Sequence, residues 1–211
     1  MNSGERLKKD FSTIPLTLVP VAIVLNIVVG QITSVLKLPI FLDSIGTILV
    51  GILAGPWAGL ATGLLTNIIW GLISSPVAAA FAPVAGVIGL VAGLCARYSL
   101  FSSWWKTIIS GVLIGIAASI TAVPIRVYMF GGITGSGADF ITAYLLTTGR
   151  DLFGSVIITV LSSNVPDKVV TALVSWAIVK ALPQRFVVRF PHAETAISVP
   201  GQESSKTSPA A

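Results

Sequence analysis

Long apolar runs separated by short polar breaks dominate the chain. A helix that crosses a bilayer needs about 20 mostly apolar residues, and runs of nearly that length recur as far as Pro183. The breaks contain residues that commonly end or begin helices, such as Gly55-Pro56 and Ser74-Ser75-Pro76. The pattern therefore predicts six membrane-spanning helices, at about 14–36, 40–54, 56–73, 77–96, 104–127 and 165–182.

The segment 129–164 departs from this pattern. A glycine-rich stretch runs from Gly131 to Gly137, and Gly149-Arg150-Asp151 interrupts the apolar residues that follow. Because an isolated charge inside a span is costly, we expect a loop with one or two short helices that fold back over an outer cavity or lead into the last span. A seventh crossing is the alternative.

The composition indicates a protein that is largely surrounded by lipid. Hydrophobic residues make up 54% of the chain and charged residues 10%, with a mean hydropathy of +0.93, whereas soluble domains have about 25% charged residues. We predict an all-α integral membrane bundle of about six helices at 14–183. A cytoplasmic N-terminal segment is expected at 1–13, and a polar, disordered cytoplasmic tail at 184–211.

The positions of the basic residues predict the orientation in the cell membrane, because Lys and Arg are enriched in cytoplasmic loops. With the N-terminus inside, the outer side receives only Lys37, Arg126 and Arg150. Both termini are therefore expected in the cytoplasm. The net charge of +5 is distributed at the ends of spans, which argues against nucleic-acid binding. The basic residues placed inside are Arg6, Lys8, Lys9, Arg97, Lys106, Lys180, Arg185 and Arg189.

Catalytic motifs are missing from the sequence. One cysteine, Cys95, and one histidine cannot form a disulfide or a Cys/His metal cluster. The stretch from Gly131 to Gly137 lacks the lysine and the strand–helix context of a phosphate-binding loop. We therefore expect a non-catalytic protein without a metal or cofactor, so that any energy from ATP has to come from a partner.

Polar residues at membrane depth are the candidates for a ligand site, because such groups are expensive in hydrocarbon unless they are compensated. In the six-span topology, several of them reach the same outer level and would ring an outward-facing cavity. The alternative is that the charged members simply meet headgroups and water. Arg126 or Lys168 would pair with a carboxylate or phosphate of the ligand. The predicted site consists of Gln31, Asp43, Asn67, Trp70, Arg126, Asp139, Asn164 and Lys168.

Small residues recur at intervals of four in several spans. On a membrane helix such a stripe lets a second backbone approach closely. It indicates either packing within the bundle or docking of a partner membrane protein. The stripes are Gly51, Gly55, Gly59 and Gly63; Ala85, Gly89 and Gly93; and Gly111, Gly115 and Ser119.

Three segments carry a resemblance to a known family. They are the stretch from Leu42 to Thr47 leading into Gly55-Pro56-Trp57-Ala58-Gly59, the loop from Gly131 to Asp139, and Pro166-Asp167-Lys168. From about Pro15 to Pro183 the chain resembles the substrate-binding S component of energy-coupling factor (ECF) vitamin transporters. The last of these segments is expected to open the final helix.

The resemblance implies a membrane protein that binds a vitamin or related micronutrient from outside. It also implies partners: a transmembrane coupling protein, the T component, and two cytoplasmic ATPases. Family members often dock through an Ala-x-x-x-Ala pattern in the first helix, but here Ala22 is followed four residues later by Asn26. Gly51, Gly59 and Gly63 are the candidate substitutes. A membrane sensor or scaffold subunit without transport is the alternative function.

Overall fold

Helices form the framework of residues 13–183, 187, 189 and 190, which the computed structural model describes. Four of them, α1, α3, α6 and α8, are long and apolar enough to cross a membrane, and α2 and α5 are shorter apolar helices. The predicted integral membrane bundle is thereby confirmed. In chain order the helices are α1 (Thr13–Val35), α2 (Ile45–Ala54), α3 (Pro56–Ile73), α4 (Pro76–Ala80), α5 (Ala82–Arg97), α6 (Trp104–Phe130), α7 (Asp139–Thr147) and α8 (Leu152–Ala181).

Local turn chemistry sets several helix ends, and the one at Gly55-Pro56 was predicted. Gly55 separates α2 from α3. Its φ is 101°, a backbone conformation that residues other than glycine rarely adopt. Pro56 then occupies the first turn of α3, where its missing N–H costs nothing. At the end of α6, Gly131 adopts the left-handed conformation that commonly stops helices.

The predicted fourth span is broken into two helices. The short α4 ends at Ala80, and α5 starts at Ala82, so that Phe81 lies between them. Pro83 explains the break, because a proline removes a backbone donor and its ring clashes with the carbonyl four residues before it. The single span predicted at 77–96 is therefore divided, and α5 forms most of it.

The last helix begins earlier than predicted. α8 starts at Leu152 and runs unbroken for 30 residues, so Asn164, Asp167 and Lys168 lie in its middle rather than at its start. Its N-terminus is capped by Asp151, whose carboxylate accepts a hydrogen bond from the Gly154 N–H at 2.8 Å. Arg150 and Asp151 thus precede the helix. The nine-residue α7 is too short to span a bilayer, at about 1.5 Å per residue, and so adds no seventh crossing.

Close approach of small residues sets the packing of α2, α3 and α5. A Cβ atom added at Gly89 would lie 2.0 Å from the Gly59 carbonyl oxygen, and one added at Gly63 would lie 2.0 Å from the Ala85 carbonyl oxygen. Gly51 faces the backbone of Gly89 in the same way. These contacts show that α3 and α5 run antiparallel. They also confirm the interpretation of the stripes as packing within the bundle.

The candidate docking residues Gly51, Gly59 and Gly63 are consequently buried. Their role as a partner surface, predicted from the resemblance, was wrong, because α5 already fills the space that each missing side chain leaves.

The remaining long helices also alternate in direction. Gly111 and Gly115 of α6 pack against Val169 and Val165 of α8, so these two helices are antiparallel as well. We call the end of the bundle where α1, α3 and α6 finish the cavity end, and the opposite end the far end.

The short α2 occupies the centre of the bundle. All ten of its residues are buried, and it packs against α1, α3, α5 and α8. Asn26 of α1 ties three helices together there. Its amide nitrogen donates to the Thr47 and Thr66 hydroxyls at 2.8 and 3.3 Å, and its oxygen accepts from the Gly46 N–H at 2.7 Å.

Candidate functional site

A cavity of about 190 Å³ lies between the helices at the cavity end. Its wall is mostly apolar and aromatic, with a few polar side chains, which is the usual make-up of a small-molecule site. Phe41, Trp70 and Phe81 supply aromatic rings. The polar lining consists of Thr33, Ser34, Asp43, Ser44, Asn67, Ser75, Arg126, Thr134, Ser136, Ser163, Asn164 and Lys168.

The glycine-rich residues 131–138, here called the roof loop, cover the cavity. Residues from Thr134 to Gly137 line it directly. The roof loop contacts residues 36–44, here called the first loop: the Lys37 ammonium donates to the Gly135 carbonyl at 2.6 Å. Gly137 is needed for this contact, since a Cβ atom there would lie 2.1 Å from the Lys37 carbonyl oxygen. The two loops therefore contact each other at the cavity end.

Asp139 holds the roof loop in its conformation. Its Oδ2 accepts hydrogen bonds from the Thr134 and Gly135 N–H groups at 2.9 and 2.6 Å, and its Oδ1 accepts one from the Arg126 guanidinium. Asp139 is not among the residues that line the cavity. Because its oxygens are engaged by the loop that follows α6, its position favours a supporting role over the predicted ligand contact.

Arg126 lines the cavity but already has a counter-ion. Only 4% of its side chain is exposed, and it pairs with Asp139. Its Nε also donates to the Gly132 carbonyl at 3.0 Å. A guanidinium has five N–H donors, so the groups on the remaining nitrogen, Nη1, stay available for a ligand.

Lys168 is enclosed by partners of this chain. Its ammonium donates to Asp167 Oδ2 at 2.5 Å, to Ser44 Oγ at 2.6 Å and to Asp43 Oδ1 at 3.3 Å. An ammonium has three donors, and all three are used. The expectation that Lys168 pairs with a ligand anion is corrected by these contacts, because two carboxylates of the protein occupy that position.

Asp167 joins α8 to the first loop, a role that sequence reasoning missed. Its Oδ1 accepts from the Phe41 and Leu42 N–H groups at 3.0 and 2.8 Å, and the side chain is fully buried. Leu42 has a φ of 51°, which is uncommon for a residue with a side chain. Asp167 therefore fixes the strained backbone that positions Asp43. The signal for it was a carboxylate next to a lysine within a span.

Gln31 supports the cavity from outside. It is exposed, and its oxygen accepts hydrogen bonds from Trp70 Nε1 at 3.0 Å and from Ser74 Oγ at 3.3 Å. The Trp70 ring, which lines the cavity, packs so closely on Gly30 that an added Cβ atom would lie 2.6 Å from it. Its amide reaches the outer edge of Trp70, which favours a supporting role over the predicted ligand contact.

Three polar groups at the cavity have unfilled hydrogen-bonding capacity. The hydroxyl of Ser163, which sequence reasoning missed, is buried without a partner in the part of the chain that the structure describes. Within the same residues, no hydrogen bond reaches the side chain of Asn67, which is also buried. Asn164 makes only a long bond, from its amide nitrogen to Ser119 Oγ at 3.4 Å. The arrangement can thus accept and donate hydrogen bonds to a small molecule.

The sequence was also compared with known proteins. A family model described as "ECF transporter, substrate-specific component" matches residues 15–179, which extend from α1 to the last turn of α8. The comparison with curated proteins finds no match, and neither does the comparison with solved structures.

Proposed function

This chain belongs to the family of substrate-specific components of ECF transporters, and we propose that its cavity captures a vitamin or related micronutrient for import. Members of this family are substrate-binding, non-catalytic membrane proteins. In the proposed cycle, the protein takes up its substrate from outside and delivers it inward together with a T component and two cytoplasmic ATPases.

The observation that carries this proposal is the unpartnered hydroxyl of Ser163 in a largely apolar cavity. A buried polar group without a hydrogen bond costs roughly 1–3 kcal/mol. A ligand with a matching donor or acceptor would compensate this cost.

Six of the sequence-predicted residues are proposed as ligand contacts because they line the cavity. Gln31 and Asp139 are proposed as supporting residues, which position Trp70 and Arg126. The contacts are Asp43, Asn67, Trp70, Arg126, Asn164 and Lys168.

The orientation of the cavity supports uptake from outside. The basic residues Arg97, Lys106 and Lys180 lie at the far end, at the end of α5, the start of α6 and the end of α8. Basic residues favour the cytoplasmic side. The cavity end would then face outward, with both chain termini in the cytoplasm.

A thermal-shift screen tests the proposal. Purified protein is heated with a micronutrient library, and we expect one compound to raise the unfolding midpoint and to bind with one-to-one stoichiometry. Ala122→Phe, which fills the cavity, should abolish the shift. The absence of any stabilising compound would contradict substrate capture. Co-purification with a T component and ATPases, rather than with a kinase or cyclase, would separate transport from sensing.

A further inference from the structure

The charges of the ionised side chains around the cavity do not sum to zero. Arg126 is paired with Asp139, and Lys168 with both Asp43 and Asp167. Two cations therefore face three carboxylates, and the cluster has one uncompensated negative charge. In a site lined by hydrocarbon, such a charge is expensive unless a partner balances it.

Asp43 is the member of this cluster that faces the cavity most openly. Its side chain is 24% exposed, compared with 3% for Lys168 and none for Asp167. Its Oδ1 accepts from Ser44 Oγ at 2.9 Å and from Lys168. No hydrogen bond from the described residues reaches its Oδ2. The uncompensated charge is thus presented to the cavity by Asp43.

The rest of the cavity suits a positive group at Asp43. Phe41, Trp70 and Phe81 line the same space, and aromatic faces attract cations. Arg126 lies nearer the start of α8 than Lys168 does. Its guanidinium bonds to Gly132, and Gly132 faces Val156. Val156 is about three helical turns from Lys168 along α8. The guanidinium is therefore distant from a positive group bound at Asp43.

Other charged residues at the cavity end do not change this balance. Lys37, Arg150 and Asp151 are exposed and do not line the cavity. Exposed charges are screened by water and salt, so they act on a bound ligand far more weakly than Asp43 does.

We infer that the substrate is a small organic cation whose positive group pairs with Asp43. The inference rests on the proposed function, since it specifies the ligand of the same cavity. The cavity that would hold it has a volume of about 190 Å³. A single substituted heteroaromatic ring that carries a positive charge fits these requirements.

Three compounds of similar shape test the charge preference: 1-methylnicotinamide, which is methylated on the ring nitrogen, nicotinamide and nicotinate, with charges of +1, 0 and −1 at pH 7. Their affinities for the purified full chain are measured by isothermal titration in detergent. We expect the cation to bind at least about tenfold more tightly than the neutral compound, because its ring charge is attracted electrostatically to the Asp43 carboxylate, and nicotinate to bind most weakly.

Two variants assign this preference to the carboxylate. Asp43→Asn should reduce the difference between cation and neutral compound to less than about twofold, while Lys168 stays paired with Asp167. Asp151→Asn removes the same charge from the surface of the cavity end, outside the cavity, and should leave the difference unchanged.

Preference for nicotinate, equal affinity for all three compounds, no binding of any of them, or an unchanged preference in Asp43→Asn would each overturn the inference. The micronutrient screen distinguishes this from failure of the proposed function. An anionic or neutral hit there retains substrate capture and rejects the cationic class, whereas the absence of any hit rejects both.

Discussion

The unpartnered hydroxyl of Ser163 gives a prediction that separates a ligand-binding role from a structural one. In Ser163→Ala, the unliganded protein loses a buried polar group that has no hydrogen bond. Its unfolding midpoint should therefore stay the same or rise, since such a group costs roughly 1–3 kcal/mol. Affinity for the ligand from the screen should fall about 2- to 12-fold, which corresponds to one neutral hydrogen bond of roughly 0.5–1.5 kcal/mol.

Ser175→Ala is the matched control on the same helix. Ser175 is also buried, but its hydroxyl bonds to the Thr171 and Ile45 carbonyls at 2.8 and 3.1 Å. We expect this variant to lose about 1 kcal/mol of stability with unchanged ligand affinity. Both quantities are measured on each variant, by thermal unfolding followed by circular dichroism and by isothermal titration. A Ser163→Ala variant that is destabilised like Ser175→Ala and binds normally would refute the reasoning.

Two further substitutions test the framework of the site. Asp167→Asn should destabilise the protein by about 3–5 kcal/mol, as loss of one partner of a buried ion pair does. The NH₂ group of the new asparagine must point either at the Lys168 ammonium or at the N–H groups of the first loop, and both of these are donors themselves. An unfolding midpoint equal to that of Asp151→Asn would contradict this role of Asp167. Gly89→Ala should cost about 1–3 kcal/mol by overpacking α3 against α5. An unchanged unfolding midpoint would show that α3 and α5 can move apart to accommodate the added methyl group without a cost in stability.

Local signals in the sequence predicted most of the helix boundaries. Gly55-Pro56 and Gly131 act through their own backbone conformations, so their effect can be read from the residues alone. The start of α8 could not be predicted in this way. Lys168 is tolerated in mid-helix because it meets Asp43, 125 residues away in the chain, and a contact of that length has no local signature.

In the candidate site, too, some features could be predicted from the sequence and others depend on contacts between distant residues. Topology alone placed Asp43, Asn67, Trp70, Arg126, Asn164 and Lys168 near one level, and all of them line one cavity. Gln31 and Asp139 belong to the same level, but side-chain pairing directs them to Trp70 and to the roof loop. Ser163 gave no signal, because a serine within a helix commonly bonds the carbonyl four residues before it. Only the three-dimensional structure shows that this one does not.

Charge pairing also changes what the polar ring implies about the ligand. Lys168 and Arg126 suggested an anionic substrate as long as their counter-ions were unknown. Once Asp43, Asp167 and Asp139 are placed beside them, the cluster has an excess of negative charge. The preferred ligand charge therefore depends on pairings that the count of basic residues along the chain conceals.

The central claim, that this cavity is the substrate site, is tested most directly by filling it. Ala122 of α6 is buried and lines the cavity, whereas Ile120 on the same helix is 70% exposed on the outer face of the bundle. Equilibrium binding of the compound from the screen is measured for Ala122→Phe and Ile120→Phe, after thermal unfolding has shown that both variants fold. The account predicts loss of binding in Ala122→Phe and wild-type affinity in Ile120→Phe. Wild-type affinity in a folded Ala122→Phe variant would contradict it.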